Sequence, residues 1–276
     1  MRIKKHSTGN QYLLVDDGIW IRNFTLNTIP LDINKLTNKS DYPLFFKNEI
    51  NNDNSTTLAF DAETKKYNKA VIVSDGYKFS DKQSLLLDLP SDVIIIAVNR
   101  TLVKWNINKK IDLFLVNNPY SECMNYMPSH GYYPKCVAST RTNSEFIEIY
   151  KKRGGTVSTY SVSPEQGYHS PCKNWCFIDE YRNPICASIH LCYKLGVKKL
   201  LLMCCDDSFD TERPTAIKLE NGLWTYPQHI KAQKIIEGML FWYGKTKGVT
   251  IADHSSGIKY KNIAHIDSEL IKKFYI

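Results

Sequence analysis

"DVIIIAVNRTLVKWNINKKIDLFLVNNPYSE", residues 92–122, is the stretch on which the fold turns. It holds two apolar runs, Val93–Val98 and Leu113–Val116. The first gives way to Asn99, the second to Asn117 and Asn118. A strand with one wet face alternates apolar and polar residues, whereas short continuous apolar runs mark strands covered on both faces. The same signal recurs on either side. "KAVIVSD" (69–75) precedes it; "KCVAST" (135–140), "TVSTYSV" (156–162), "VKKLLLMCCDD" (197–207) and "VTIAD" (249–253) follow.

Helical patterns separate these runs. In "SDKQSLLLDLP" (80–90), Ser80 and Gln83 have capping-box spacing and Pro90 closes the segment. "TLVKWNI" reads as a short helical or looping link. "NSEFIEIYKKRGG" (143–155) is a helix capped by Asn143 or Ser144, with Phe146, Ile147 and Tyr150 on its apolar face and Gly154 at its end. "ICASIHLCYKLG" carries Ile185, Ile189, Cys192 and Leu195 at helical spacing, with Gly196 as the stop. "PQHIKAQKIIEGMLFWYGKTKG" is helical, and "DSELIKKFYI" ends the chain as a helix. Residues 163–184 read as a loop, and a polar excursion spans 207–224.

Apolar strands alternating with helices predict an α/β fold: a doubly wound, Rossmann-like, mostly parallel sheet over residues 69–276. Residues 1–68 differ. "QYLLVDDGIWIRNFTL" alternates about a turn at Asp17-Gly18 and reads as a β-hairpin appendage; the Asn-rich "KNEINNDNSTT" reads as a loop.

With 276 residues, 43% apolar and 12% aromatic, the chain can bury one large core and lacks a disordered composition. No apolar run is long enough to span a bilayer, and none follows the basic N-terminus. The expectation is a cytoplasmic protein; peripheral membrane contact and oligomeric state are left open. The net charge of +8 is spread along the chain, which suits a solvated surface or an anionic substrate such as a nucleotide. No RNA- or DNA-binding signature is present, so no nucleic-acid partner is expected. Of the 8 cysteines, only Cys172 and Cys176 are spaced like half a metal clip, with no second pair following, so reduced thiols are expected.

Open parallel sheets bind ligands outside the carboxyl ends of their strands. Asp75, Asn99, Asn118, Asp206 and Asp253 stand at such ends. There is no GxxxxGK[ST] and no GxGxxG; a lone Gly76 follows the first strand, either to admit a phosphate or simply to make a turn. Carboxamides recognise ligands but make poor acids or bases. His229, just after Pro227 at a helix start, is the candidate general base. His254 beside Asp253 is the runner-up, and His190 within a helix reads as structural. Asp206 and Asp207 could hold a divalent cation, but paired acids on loops commonly hold none, so no metal ligand set is assigned.

From about residue 69 to 265, this order of motifs resembles the superfamily joining MptE-like proteins (6-hydroxymethylpterin diphosphokinases) with bacterial lipooligosaccharide sialyltransferases. Those sialyltransferases end their first strand in Gly-Asn-Gly-Pro-Ser-Leu; "SDGYKF" keeps Gly76 and has Asp75 in the Asn place. Asn99 in "IIAVNRTL" and Asn118 in "LVNNP" match the asparagines after the next two strands. Asp206 matches the acid of a Gly-Ile-Asp, Pro184-Ile185 replaces the family's Ser-Gly, and His229 matches its histidine. The resemblance implies a nucleotide-binding crevice at Asp75, Gly76, Asn99, Asn118 and Asp206. It also implies that His229 deprotonates a hydroxyl acceptor, such as a glycan, attacking the anomeric carbon of a sialic-acid-like nucleotide sugar, with no metal required. Tyr226 and Tyr168 stand as counterparts of the family's tyrosines near the leaving phosphate. Two alternatives stay open: a pterin diphosphokinase using ATP and magnesium, and a non-catalytic nucleotide-binding or accessory protein.

Overall fold

The structure, a computed structural model, describes residues 39–52, 67–128, 131–162 and 180–276, together with short strands at 2–5, 11–15, 18–19, 56–57 and 177–178. Cys172, Cys176, Tyr168 and the turn expected at Asp17 lie outside the described residues.

Seven strands form the body of a parallel sheet: β1 (Lys69–Val73), β2 (Val93–Val98), β3 (Leu113–Val116), β4 (Lys135–Ser139), β5 (Val157–Val162), β6 (Lys199–Met203) and β7 (Thr250–His254). Their spatial order is β5-β4-β3-β2-β1-β6-β7. Each ladder is parallel: Val71 lies between Ile95 of β2 and Leu201 of β6. The chain steps outwards from β1 to β5, then returns to lay β6 on the other side of β1. At the β5 edge, Thr56–Thr57 pairs with Ser158 and Thr159, and Phe177–Ile178 pairs with Ser161 and Val162. Ala264–His265 extends the β7 edge.

Successive side chains leave a strand on opposite faces, and both faces are covered. Ala70, Ile72, Ile94, Ile96, Leu200 and Leu202 share one cluster with two helices, α3 (Pro184–Lys194) and α4 (Pro227–Lys247). Val71, Val73, Ile95 and Leu201 face Phe79, Leu86 and the C-terminal Ile271 and Tyr275. Phe114, Val116, Cys136 and Ala138 face Phe146, Ile147 and Tyr150 of α2 (Ser144–Lys152). Helices on both faces make this the doubly wound, Rossmann-like α/β fold that the apolar runs predict. The Asn143 side chain accepts from Phe146 N at 3.0 Å, capping α2, and Gly154 follows it at φ 91.

Three local expectations are corrected. The segment after β1 is one helical turn, Phe79–Lys82, followed by a 3-10 helix, Gln83–Asp88. There is no capping box: Gln83 Nε2 donates to the Ser80 carbonyl at 3.2 Å, and Lys78 opens the turn in the left-handed region without a side-chain cap. The stretch "YPLFFKNEINN" is a helix rather than loop, Tyr42–Asn52 (hereafter αN). Its Asn48 amide donates to the carbonyls of Pro119 and Arg141, and its Asn52 amide to those of Thr140 and Thr142. Glu49 meets Arg141 Nε at 2.9 Å, both nearly inaccessible to solvent at 1% and 2%. The excursion after β6 pairs Ser208–Phe209 and Ile217–Lys218 antiparallel with Trp224–Thr225 into a small flap. Gln11–Val15 pairs antiparallel with Gly18–Ile19 and, on its other side, with Arg2–Lys5.

All six described cysteines are buried and unbridged. Among the described residues, no helix is long and apolar enough to cross a membrane. His190 is buried in α3, and burial lowers its imidazole from the ordinary 6.5 to about 3. The folded chain therefore keeps His190 neutral while the unfolded chain takes up a proton below 6.5. Stability from this group is present above pH 6.5 and is lost between 6.5 and about 3, at up to about 1.4 kcal/mol per pH unit. Urea midpoints measured across that window should fall less steeply in His190→Met.

Candidate functional site

The sheet reverses its direction of winding between β1 and β6, so the loops leaving these two strands diverge. A cleft of about 860 Å³ opens there. It is lined by Asp75 and Gly76 after β1, Asn99 after β2, Asp207 after β6, and His229 in the first turn of α4. The structure thus brings four of the six site residues predicted from sequence to one cleft; Asn118 lines an adjoining cavity that Asn99 shares, and Asp206 lies behind the Gly76 turn.

Gly76 is needed for close approach. A Cβ there would collide with the Cys204 carbonyl and the Asp206 carboxylate. The two loops are laced together: main chain to main chain, Ser74 N donates to Met203 O and Gly76 N to Cys204 O, and Tyr77 N donates to the side-chain Asp206 Oδ1, each at 3.1 Å. The Ser74, Gly76 and Tyr77 amides of this turn are therefore already engaged rather than turned towards a phosphate.

Asp206 does not line the cleft. Its Oδ1 accepts from Tyr77 N and from the amide and hydroxyl of Ser208, and its Oδ2 from Ser256 N and Gly257 N at 3.0 and 2.7 Å. One buried carboxylate joins the loops after β1, β6 and β7. Burial pushes its carboxyl above the usual carboxylate range, against the pull of these hydrogen bonds. Asp253, at the end of β7, is likewise turned inwards, onto Ser255 and His265.

Asn118 also works locally. Its Nδ2 donates to the Tyr126 hydroxyl at 2.7 Å and its Oδ1 accepts from Tyr120 N at 2.9 Å, closing the turn at Pro119. Asn99 is different. It sits in the left-handed region at φ 43, which asparagine tolerates better than most residues, and its buried Oδ1 has no hydrogen-bond partner.

His229 is held by the loop after β6. Its Nδ1 lies 3.0 Å from the Asp207 main-chain carbonyl, which also accepts from Thr225 Oγ1 at 2.8 Å. A carbonyl oxygen only accepts, so the proton sits on Nδ1 and the neutral ring keeps its lone pair on Nε2. Tyr226 meets the imidazole edge to face at 5.5 Å and lines the same cleft. The Asp207 carboxyl accepts from Asn183 Nδ2 at 3.4 Å. Burial raises its pKa, and the nearby His229 opposes that rise. His254 does not line the cleft: it is buried, and its Nδ1 faces the Ile266 carbonyl at 2.7 Å.

The cleft is rich in charge. Lys104 Nζ and Arg100 Nε lie 3.1 and 3.7 Å from Asp75 Oδ2, two cations on one carboxylate. Lys78 and Arg213 add further positive charge to the wall, whereas Arg182, on the same wall, is paired with Asp41 at 2.8 Å. Backbone strain gathers here too. Of the eight non-glycine residues with positive φ among those described, Lys78, Asn99, Tyr181, Arg182 and Asp207 line this cleft. Such conformations cost about 1–3 kcal/mol each and cluster at functional sites. Among the described residues, no three His, Cys, Asp or Glu side chains gather as a metal site.

Sequence reasoning missed Asn117. This residue is 6% exposed and its Nδ2 is buried without a partner. The signal was present in the doubled asparagine after β3; which of the two turns inwards depends on the turn that Asn118 makes.

No protein-family model and no curated protein matches this chain.

Proposed function

We propose that the chain is a glycosyltransferase that moves a sugar from a nucleotide donor to a hydroxyl acceptor, with His229 as general base. The observation that carries this reading is the fixed tautomer of His229, whose Nε2 is free of protein partners among the described residues at the rim of a ligand-sized cleft. In the step proposed, Nε2 takes the proton of the acceptor hydroxyl as its oxygen bonds to the anomeric carbon. The bond from that carbon to the phosphate oxygen breaks, and the electron pair leaves with the nucleotide phosphate. Because the loop amides are engaged, the leaving charge is met by side chains instead. Arg100 and Lys104 together exceed Asp75 by one positive charge, and Lys78 and Arg213 stand on the same walls.

The competing reading implied by the resemblance is phosphoryl transfer with magnesium: Asp75, Asp207 and Asp210 line the cleft, but among the described residues no three acids gather as a metal site. CMP-, UDP- and GDP-sugars incubated with hydroxyl acceptors in the presence of a chelator separate the two. Glycosyl transfer predicts acceptor-dependent release of nucleotide that survives chelation. Release of AMP from ATP only with magnesium and a pterin alcohol would replace it with diphosphokinase chemistry. Thermal shift with the same nucleotides and no rise in midpoint would leave neither.

A further inference from the structure

Four aspartates line the main cleft: Asp75, Asp81, Asp207 and Asp210. Three of them need no ligand. Asp75 has Arg100 and Lys104 beside it, and Asp81 and Asp210 are exposed to water. Asp207 is half-buried. Its carboxyl accepts from Asn183 Nδ2 at a long 3.4 Å, and among the described residues no other donor and no cation is paired with it. A carboxylate has room for about four hydrogen bonds, and a desolvated one without a cation is costly to keep. Asn183 is held in place by capping α3: its Oδ1 accepts from Ile185 N and Cys186 N at 2.8 and 3.3 Å. Asp207 itself sits in the left-handed region at φ 46. Its main-chain carbonyl meets His229 Nδ1 at 3.0 Å while the residue lines the cleft. One residue therefore orients the base and sets a carboxyl near it, and His229 and Asn183 both favour the charged form of that carboxyl. The cations divide differently. Lys78, Arg100 and Lys104 belong to the loops after β1 and β2. On the His229 side, Arg213 lies over the Phe209 ring at 4.2 Å and stands against both Asp207 and Asp210.

We infer that the sugar this cleft moves is a neutral aldose, with no carboxylate at or near its anomeric carbon, and that Asp207 makes the choice. The inference rests on the transferase reading above and names the class of sugar transferred. It departs from the sialic-acid-like sugar that the resemblance implies. A general base must stand within hydrogen-bond reach of the oxygen that attacks the anomeric carbon. The reacting end of the sugar therefore lies beside His229, and so beside Asp207. A carboxylate there would meet a second carboxylate that no cation neutralises, and like charges so placed repel strongly. A neutral sugar brings hydroxyls instead, which donate to Asp207 and fill its vacant lone pairs. The charge also serves the step itself. As the bond to the phosphate oxygen breaks, the anomeric carbon and ring oxygen become positive, as in other glycosyl transfers. A sialic-acid-like sugar carries its own counter-charge on that carbon. An aldose has none, and Asp207 supplies it from the protein.

Two matched pairs of donors test the choice, because each pair differs only in a carboxylate: UDP-glucose with UDP-glucuronate, and GDP-mannose with GDP-mannuronate. CMP-sialic acid adds an acidic sugar charged on the anomeric carbon itself. With a hydroxyl acceptor, the wild type should transfer the neutral member of a pair at least about a hundredfold better in kcat/KM. Asp207→Asn and Asp207→Gly both tolerate the left-handed backbone, and both keep the main-chain carbonyl that holds His229. Each should lower kcat for neutral donors and narrow the preference within a pair by about tenfold or more, with the thermal midpoint as a control for folding. A displaced base or a loosened fold slows both members of a pair alike and leaves their ratio where it was. The inference is overturned if acidic donors are transferred as well as neutral ones, or if both variants keep the wild-type ratio. Transfer from acidic donors alone would keep the transferase reading and remove the neutral sugar. No transfer from any donor would remove the transferase reading, and the choice of sugar with it.

Discussion

Replacing His229 with asparagine is expected to lower kcat for sugar transfer by about 10²–10⁴-fold, the usual contribution of a positioned general base, and to leave nucleotide affinity unchanged. Asparagine keeps a donor that can reach the Asp207 carbonyl in place of Nδ1–H. The start of α4 and its contact with the flap should therefore survive. What disappears is the lone pair of Nε2, which no atom of asparagine replaces. Transfer should be measured at saturating donor, with the thermal midpoint as a control for folding. If kcat stays within about tenfold of the wild type, His229 is not the base. An equal loss of affinity and of kcat would instead make it a binding residue.

Glu49→Ala is expected to destabilise the fold by about 3–5 kcal/mol, because removing one member of a buried ion pair strands the other. The pair is fully enclosed, Glu49 at 1% and Arg141 at 2% exposure, with Nε and Oε1 2.9 Å apart. Arg141 also lies over the Phe45 ring at 4.8 Å, so αN and the loop after β4 share one contact surface. Replacing both partners, as Glu49→Leu with Arg141→Met, removes the stranded charge and should restore much of the loss. Guanidinium unfolding of the two variants decides this. Equal instability of the single and double replacements would mean that packing, rather than charge, holds αN in place.

The sheet was legible because its strands are continuous apolar runs: Val93–Val98 is buried along its whole length. Asn143 was legible as a cap because its partner, Phe146 N, lies three residues away. The Ser80–Gln83 spacing misled for the opposite reason. The turn after β1 is set by distant residues: Tyr77 N is drawn to Asp206, and Phe79 is buried beneath the sheet among Val71 and Leu201. αN was invisible to periodicity because it buries polar side chains, Asn48, Glu49 and Asn52, whose partners lie 71 to 93 residues onward in the loops after β3 and β4. At the site, sequence could place polar residues at the strand ends but not orient them. Asp206 shares its strand end with Asp207, and only the amides of Ser256 and Gly257 reveal that Asp206 turns inwards. Asn117 and Asn118 exchange roles for a similar reason, because Tyr120 N and Tyr126 OH occupy the second amide and leave the first unfilled.

The border of β5 is shared by two donors far apart in the chain, Thr56–Thr57 below and Phe177–Ile178 above. Neither covers the whole strand, so proteolytic loss of either would bare half a ladder of main-chain groups on an otherwise intact molecule. Bare ladders recruit other chains edge to edge. These four residues thus cover an edge that would otherwise be open to a further strand, and their loss is expected to surface first as insolubility, ahead of any change in the cleft.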